Sequence, residues 1–186
     1  LERAVSTLRE VLWSESGATY TPIGVVDPVR LAGTTVRRAN LNNPDQIRSL
    51  DLKLGLPVYV VKRGEIIPKI EGLAPLGDLV GEEISYPNTC SRCGTALVDA
   101  GTRLFCPNQA CPKRLLHRLE KWIEVIDVRD LGSQLLARLF ESGRLQSVAD
   151  LYTLDAEELS SMERMGQKSA AKVIAHLRKK RELGLA

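Results

Sequence analysis

The alternation of apolar and polar positions divides this chain into unlike stretches. Between residues 19 and 72, four short runs rich in β-branched residues ("TPIGVV", "TTVRRANL", "PVYVV" and "EIIPKIEG") predict four or five strands. The Pro- and Gly-bearing segment "DPVRLAG" separates the first two runs, and Gly64 marks a turn within the last pair. Between the pairs, "NNPDQIRSLDLKLG" predicts one short helix, with Asn43 as its cap, Pro44 in its first position and Asp45 at its positive end. From residue 113 the period becomes helical. Leu115, Leu116, Leu119, Trp122, Ile123 and Ile126 recur at three- and four-residue spacing and form one stripe, all of it expected in a core. A second helix near 133–141 stops at Gly143, and a third fits "SVADLY". Asp155 caps a fourth, and "QKSAAKVIAHLRKK" is a long fifth.

Four or five short strands with one inserted helix suggest a small β-barrel. An OB-fold is the first candidate, and an SH3-like barrel shares the pattern. The fold class expected is therefore multidomain α+β: a barrel over 19–85, a cysteine-bearing ribbon over 86–112 and an all-α block over 113–186. Residues 1–18 are expected to be the tail of a preceding domain.

Composition narrows the class. Hydrophobic residues make up 44% and charged residues 26%, as in ordinary globular domains. No apolar run is long enough to span a bilayer. Charges at Glu2, Arg3, Arg9, Glu10 and Glu15 break any signal-peptide core. The chain begins at Leu1 and ends on "RELGLA", and is expected to be a cytoplasmic piece of something longer. The net charge of +3 is uneven: residues 1–85 carry 10 Lys and Arg against 11 Asp and Glu, whereas residues 112–186 carry 14 against 11. The basic run "HLRKKRE" is either a solvated helix face or a polyanion contact.

All four cysteines fall in "CSRCGTALVDAGTRLFCPNQAC", as C-x2-C, twelve residues, then C-x4-C. Two close pairs separated by a hairpin-length segment suit a tetrahedral zinc site made of Cys90, Cys93, Cys106 and Cys111. Gly94 and Gly101 allow the turns. Two disulfides are the alternative reading, disfavoured in a cytosolic chain, and an iron–sulfur cluster normally has tighter spacing. Four thiolates leave no open position for water, so such a metal is structural. It replaces a hydrophobic core that twenty-two residues cannot build.

The helical block holds a faint repeat: "VRDLGSQLLARL" and "MERMGQKSAAKVIAHL" both run polar, apolar, Gly, then an apolar helix face. A tight turn ending in Gly at a helix start aims backbone N–H groups outward, where they suit a phosphate oxygen. Gly166, with Arg164, Lys168 and Lys172 around it, is the better copy. In the first, Asp130 lies close to Gly132 and repels phosphate. A plain turn is the bland reading of either glycine. His117 and His176 are expected at the surface, and no Ser–His–Asp set, acid pair or phosphate-binding loop occurs.

Together "PVRLAGTTVRRANLNN", "GEIIPKIEG", the ribbon with "CPNQACP" and "MGQKSAAKVI" resemble, in wording and order, the bacterial NAD-dependent DNA ligases over about residues 19–182. The resemblance implies an OB-fold, a four-cysteine zinc finger and the first part of a helix-hairpin-helix domain. It implies a parent enzyme that uses NAD and Mg2+ to seal nicks with 5′-phosphate and 3′-hydroxyl ends during replication and repair, in the cytoplasm and nucleoid-associated. Such enzymes take AMP on a lysine of a K-x-D-G motif in a preceding adenylation domain. No lysine here is followed by x-D-G, so the resemblance implies a DNA-holding portion, inactive alone. Its partners are nicked double-stranded DNA and the adenylation domain, with no membrane. Arg63, Ile66 and Ile67 match the family's barrel segment that touches DNA, and Arg37 and Arg38 lie in the matching "GTTV" strand. The hairpin residues carried over are Gly132, Arg164, Gly166, Lys168 and Lys172.

The chain departs from the family pattern in four places. Where the family usually has "GRTGALTPVA" this chain has "ESGATYTPIG". Asn42 stands for a usual histidine, and Asp130 and Arg164 replace the first glycine of each hairpin. The first hairpin is therefore expected to be the weaker DNA contact. The competing functions are a stand-alone zinc-containing nucleic-acid-binding module and a protein-interaction scaffold. Steep salt dependence of binding separates either DNA-binding reading from the scaffold.

Overall fold

The computed structural model describes residues 2–62, 67–128, 130–162 and 165–183. By its internal contacts the chain divides into two compact units, residues 1–108 and 109–186.

The first unit is built on a closed five-stranded ring. Its strands are β1 (Glu2–Ser16), β2 (Thr19–Leu31), β3 (Thr34–Asn40), β4 (Pro57–Lys62) and β5 (Lys69–Leu73), with helix α1 (Pro44–Ser49) between β3 and β4. Around the ring the order is β1-β4-β5-β3-β2, and β2 pairs back onto β1. All pairings are antiparallel except β3–β5, which meet in parallel at Asn40↔Lys69. A five-stranded Greek-key ring of this kind is the OB-fold architecture, and it excludes the SH3-like alternative.

Strand β1 closes the ring. Its first half pairs with β4, from Glu2↔Lys62 to Thr7↔Pro57, and its second half pairs with β2, from Leu8↔Val26 to Ser16↔Thr19. A register shift between Leu8 and Glu10 bends the strand where it changes partner. The sequence reading left residues 1–18 outside the barrel, and the structure corrects it. The apolar positions of "ERAVSTLREVLW" do not alternate cleanly, because the bulge resets which face each residue meets. A second difference has the same cause. "DPVRLAG" is not a connection: β2 runs through it to Leu31, and the register shift between Val25 and Val29 absorbs Asp27 and Pro28. The turn itself is Ala32-Gly33, both at positive φ, as a tight hairpin requires.

Leu8, Val26, Val36, Leu41, Val58, Val60 and Ile70 fill the barrel. Gly24 faces inward among them: a Cβ there would lie 2.8 Å from Ile70 Cδ1 and 3.0 Å from Leu8 Cδ1. Helix α1 forms as its residues dictate. The Asn43 side chain accepts the Gln46 N–H at 2.9 Å and Pro44 opens the helix.

The cysteine ribbon, expected as a small separate domain, is stitched to the barrel. Its strands β6 (Val98–Asp99) and β7 (Leu104–Phe105) extend the sheet, with β7 pairing to β2 at Thr19↔Phe105 and Tyr20↔Leu104. Cys106 N–H donates to Ala18 O at 2.8 Å, and Asp45 N–H donates to Gly101 O at 3.0 Å. Arg48 of α1 pairs with Asp99 and lies over the Tyr86 ring, which itself packs against Trp13.

The second unit is helical: α2 (Pro112–Ile126), α3 (Ser133–Glu141), α4 (Val148–Leu151), α5 (Ala156–Ser160) and α6 (Gln167–Leu183). Its core gathers Leu119, Leu131, Leu136, Leu145, Leu159 and Val173 with their neighbours. Asp155 caps α5 by accepting Glu158 N–H at 2.8 Å, and Gly143 follows α3 at φ +79°. Trp122 is not core as the stripe implied. It stays 38% exposed at the rim, where its indole N–H donates to the Tyr152 hydroxyl at 2.9 Å. Leu119, Ile123 and Ile126 already fill the buried face of α2. Among the described residues, no helix is long and apolar enough to cross a membrane.

Candidate metal centre and nucleic-acid interface

Cys90 and Cys93 sit where the ribbon begins, closed by Gly94 N–H donating to Cys90 O at 2.9 Å, with Gly94 at φ +70°. Cys106 follows β7, and Cys111 immediately precedes α2. The four sulfur atoms all lie within 4.8 Å of one another, and none is in a disulfide. The Cys93 and Cys106 sulfurs lie 3.5 Å apart. Zinc–sulfur bonds of about 2.3 Å in a tetrahedron place sulfurs about 3.8 Å apart, so this donor set fits that ion. Cys90, Cys106 and Cys111 are buried and Cys93 is partly open.

The thiols differ in acidity. The Thr95 hydroxyl, 3.2 Å from Cys93 Sγ, and the Thr95 backbone N–H favour the thiolate and lower Cys93 to about 6. Burial pushes Cys106 up to about 12. Burial also opposes ionisation of Cys90, but backbone N–H groups of Cys93 and Arg92 and the Tyr20 hydroxyl outweigh it and bring that thiol lower. Four thiols this close do not all ionise unaided, whereas a dication among them deprotonates the set. Tyr20 escaped the sequence reading. It reaches from β2 to accept Ser91 N–H at 3.1 Å and to support Cys90. An aromatic in a strand gave no signal for that role.

The anion-facing candidates divide between the units. On the barrel, Arg37 and Arg38 are both exposed on β3, beside the register shift, and neither has an ion-pair partner among the described residues. Ile67 is 73% exposed. Arg63 and Ile66 lie outside the described residues, as does Arg164 in the helical unit.

In the helical unit, Gly132 is the residue before α3 and Gly166 the residue before α6, and their carbonyls accept the N–H of Leu136 at 3.1 Å and of Ala170 at 3.0 Å. A Cβ at either glycine would meet nothing within 4 Å. Each glycine thus opens its helix with no described atom crowding the Cβ position, and a helix start carries first-turn N–H groups that can hold an oxyanion. Lys168 is exposed on the first turn of α6. Lys172 is not the free cation the sequence suggested: its ammonium lies 3.1 Å from the Asp130 carboxylate. The pair joins the two copies of the repeat, and each charge cancels the other. His176, expected at the surface, is half-buried, and its Nδ1 has no hydrogen-bond partner among the described residues. His117 is partly exposed near Glu120 and takes no part in the sulfur cluster.

Comparison with known proteins places these features in a family. Residues 15–76 match the NAD-dependent DNA ligase OB-fold domain, and residues 123–179 match a SAM-like helix-hairpin-helix tandem. The chain is 59% identical, over its whole length, to a DNA ligase of Treponema denticola, covering 28% of that protein. It is 47% identical to a DNA ligase of Treponema pallidum over 99% of the chain and 22% of the relative. It is 41% identical to a DNA ligase of Gloeobacter violaceus over 92% of the chain and 26% of the relative. The chain thus spans about a quarter of the length of the curated relatives it matches.

Proposed function

We propose that this chain, which belongs to the NAD-dependent DNA ligase family, is the portion of its enzyme that holds nicked duplex DNA. The observation that carries the reading is the pair of hairpin glycines, Gly132 and Gly166, each standing directly before a helix with free space where a Cβ would lie. Two such starts in a unit with excess Lys and Arg suit a duplex backbone, gripped through phosphates without reading bases. Lys168 and Arg164 add charge at the second start. The barrel sits on the minor groove beside the nick, with Arg37, Arg38, Arg63, Ile66 and Ile67 as its candidate DNA contacts. The four cysteines hold a structural zinc ion.

The longer parent seals the nick with NAD and Mg2+ through an adenylation domain. The absence of any K-x-D-G lysine supports assigning that step outside this chain. Incubation with labelled NAD should leave no AMP on it.

The deciding experiment measures binding of the zinc-loaded chain to a nicked duplex and to the same duplex intact over a salt series. Steep salt dependence with preference for the nick is the expected result. Salt-dependent binding without preference removes nick recognition from this portion. Binding to neither, or binding indifferent to salt, overturns the DNA reading.

A further inference from the structure

A groove in the helical unit lies away from both hairpin starts. Its walls are Leu151 and Leu154 on one side and Ile174 and Leu177 of α6 on the other, and it encloses about 480 Å³, a volume typical of ligand pockets. Ile174, Leu177, Arg178 and Arg181 follow one another at helical spacing, so the two arginines border the apolar wall on the same face of α6. Both are exposed, and neither has an ion-pair partner among the described residues. The last polar group is the Tyr152 hydroxyl. Its oxygen accepts the Trp122 indole N–H at 2.9 Å, and its own hydrogen has no acceptor among the described residues.

Among the described residues, the polar side chains of the groove therefore offer only free donors: no Asp, Glu, Asn, Gln, Ser or Thr side chain lines it. An occupant that satisfies it brings acceptors for two guanidinium groups and one hydroxyl, and apolar side chains for the four aliphatic walls. A DNA backbone supplies the acceptors but has nothing to fill an aliphatic cleft. Gly166 stands eleven residues before Leu177, about 16 Å along a helix at 1.5 Å per residue, so the groove is remote from the proposed phosphate site at the start of α6.

We propose that this groove docks an acidic amphipathic segment of a partner protein, with its apolar side chains between α4 and α6 and its carboxylates on Arg178 and Arg181. Helix-in-groove recognition has this division of labour: buried apolar anchors supply affinity, and rim charges choose the partner. The inference is independent of the DNA reading.

The test uses the zinc-loaded chain and two synthetic helical peptides that carry leucines at the same helical spacing, one with glutamates between them and one with lysines. Peptide binding is followed by fluorescence anisotropy, duplex binding is measured in parallel, and self-association is measured by sedimentation. The glutamate peptide should bind and the lysine peptide should not. Arg178→Glu with Arg181→Glu should weaken the glutamate peptide about tenfold or more, as rim attraction becomes repulsion, and should weaken duplex binding no more than the same double reversal at Lys179 and Lys180, which carries the same change in charge off the groove. Tyr152→Phe, which keeps the ring, should weaken the peptide less. Equal binding of both peptides, or of neither, overturns the proposal. Loss of duplex binding in the arginine variant with no effect on the peptide assigns the arginines to DNA and also overturns it. Concentration-dependent dimerisation that blocks the peptide gives the groove to a second copy of the chain, with the same consequence.

Discussion

At the scale of single residues, the sulfur cluster is the most sharply determined feature. Cys106 is fully buried and its thiol is raised to about 12 by that burial, and a cation among the sulfurs favours its ionised form. On the proposed zinc assignment, Cys106→Ser removes one of four ligands, and structural zinc sites contribute on the order of 10 kcal/mol to folding. The variant should lose bound zinc and the ribbon's folded signals. Metal analysis and an NMR spectrum check this, and a zinc-replete folded variant would contradict the assignment. Lys168 is a different kind of residue, exposed and unconstrained. Lys168→Glu should weaken duplex binding equally for unrelated sequences and lower the salt slope by about one. Unchanged affinity across the salt series would remove the α6 start from the interface. Lys172 shows why such residues need a structure. Its type and spacing match Lys168, yet its charge is committed to Asp130.

At the scale of elements, the ribbon depends on the barrel it is stitched to. Gly101 concentrates that dependence. It has φ +79°, its carbonyl accepts Asp45 N–H at 3.0 Å, and a Cβ there would lie 2.4 Å from the Asp45 carboxylate. Any side chain meets a strained backbone and must also turn the Asp45 carboxylate aside. Gly101→Ala should destabilise the first unit by about 1–3 kcal/mol and push the ribbon turn off α1. Gly94, at φ +70° with open space, should accept alanine at the lower end of that cost. Chemical unfolding of the two variants compares them, and equal losses would show that the Asp45 contact contributes nothing. In the second unit, Arg144 has a similar linking role: it pairs with Glu158 and donates to the Thr153 hydroxyl at 3.1 Å and its carbonyl at 2.8 Å, tying the end of α3 to α5.

At the scale of the whole molecule, acid should act on both units through carboxylates that folding makes more acidic. The Arg9 guanidinium lowers Asp27, the Arg48 guanidinium lowers Asp99, and the backbone N–H groups of Gln146 and Ser147 lower Asp150. A carboxylate depressed by folding binds fewer protons in the folded chain than in the unfolded one. Its contribution is complete above the ordinary carboxylate range, near 4, and is lost as pH falls through the folded value. The Tm should therefore fall from neutral pH toward about pH 3. Asp99→Asn should melt below the parent at neutral pH and converge with it in acid. Parallel curves would show that the Arg48 pair contributes no pH-dependent stability. These groups are largely exposed, so each effect is small and weakens with salt.

The sequence by itself determined the local chemistry: the C-x2-C and C-x4-C spacing, the Asn43 and Asp155 caps, the Gly143 stop and the glycines before α3 and α6. Each is set by a few neighbouring residues, and short-range geometry suffices to read it. The order of the barrel, the ribbon and the hairpins was legible for the same reason. Tertiary structure decided what depends on partners far along the chain. It made Glu2–Ser16 a strand, because β1 is held by backbone pairing to β2 and β4 rather than by its own apolar period. It attached the ribbon to the barrel through Thr19, Tyr20, Asp45 and Arg48, residues with no distinctive pattern of their own. It moved Trp122 to the rim once Leu119, Ile123 and Ile126 had filled the face of α2, and it set Lys172 against Asp130, 42 positions apart. Pairing, packing and ion pairing between distant residues carry no local signature, because the free energy belongs to the contact and not to either side chain alone.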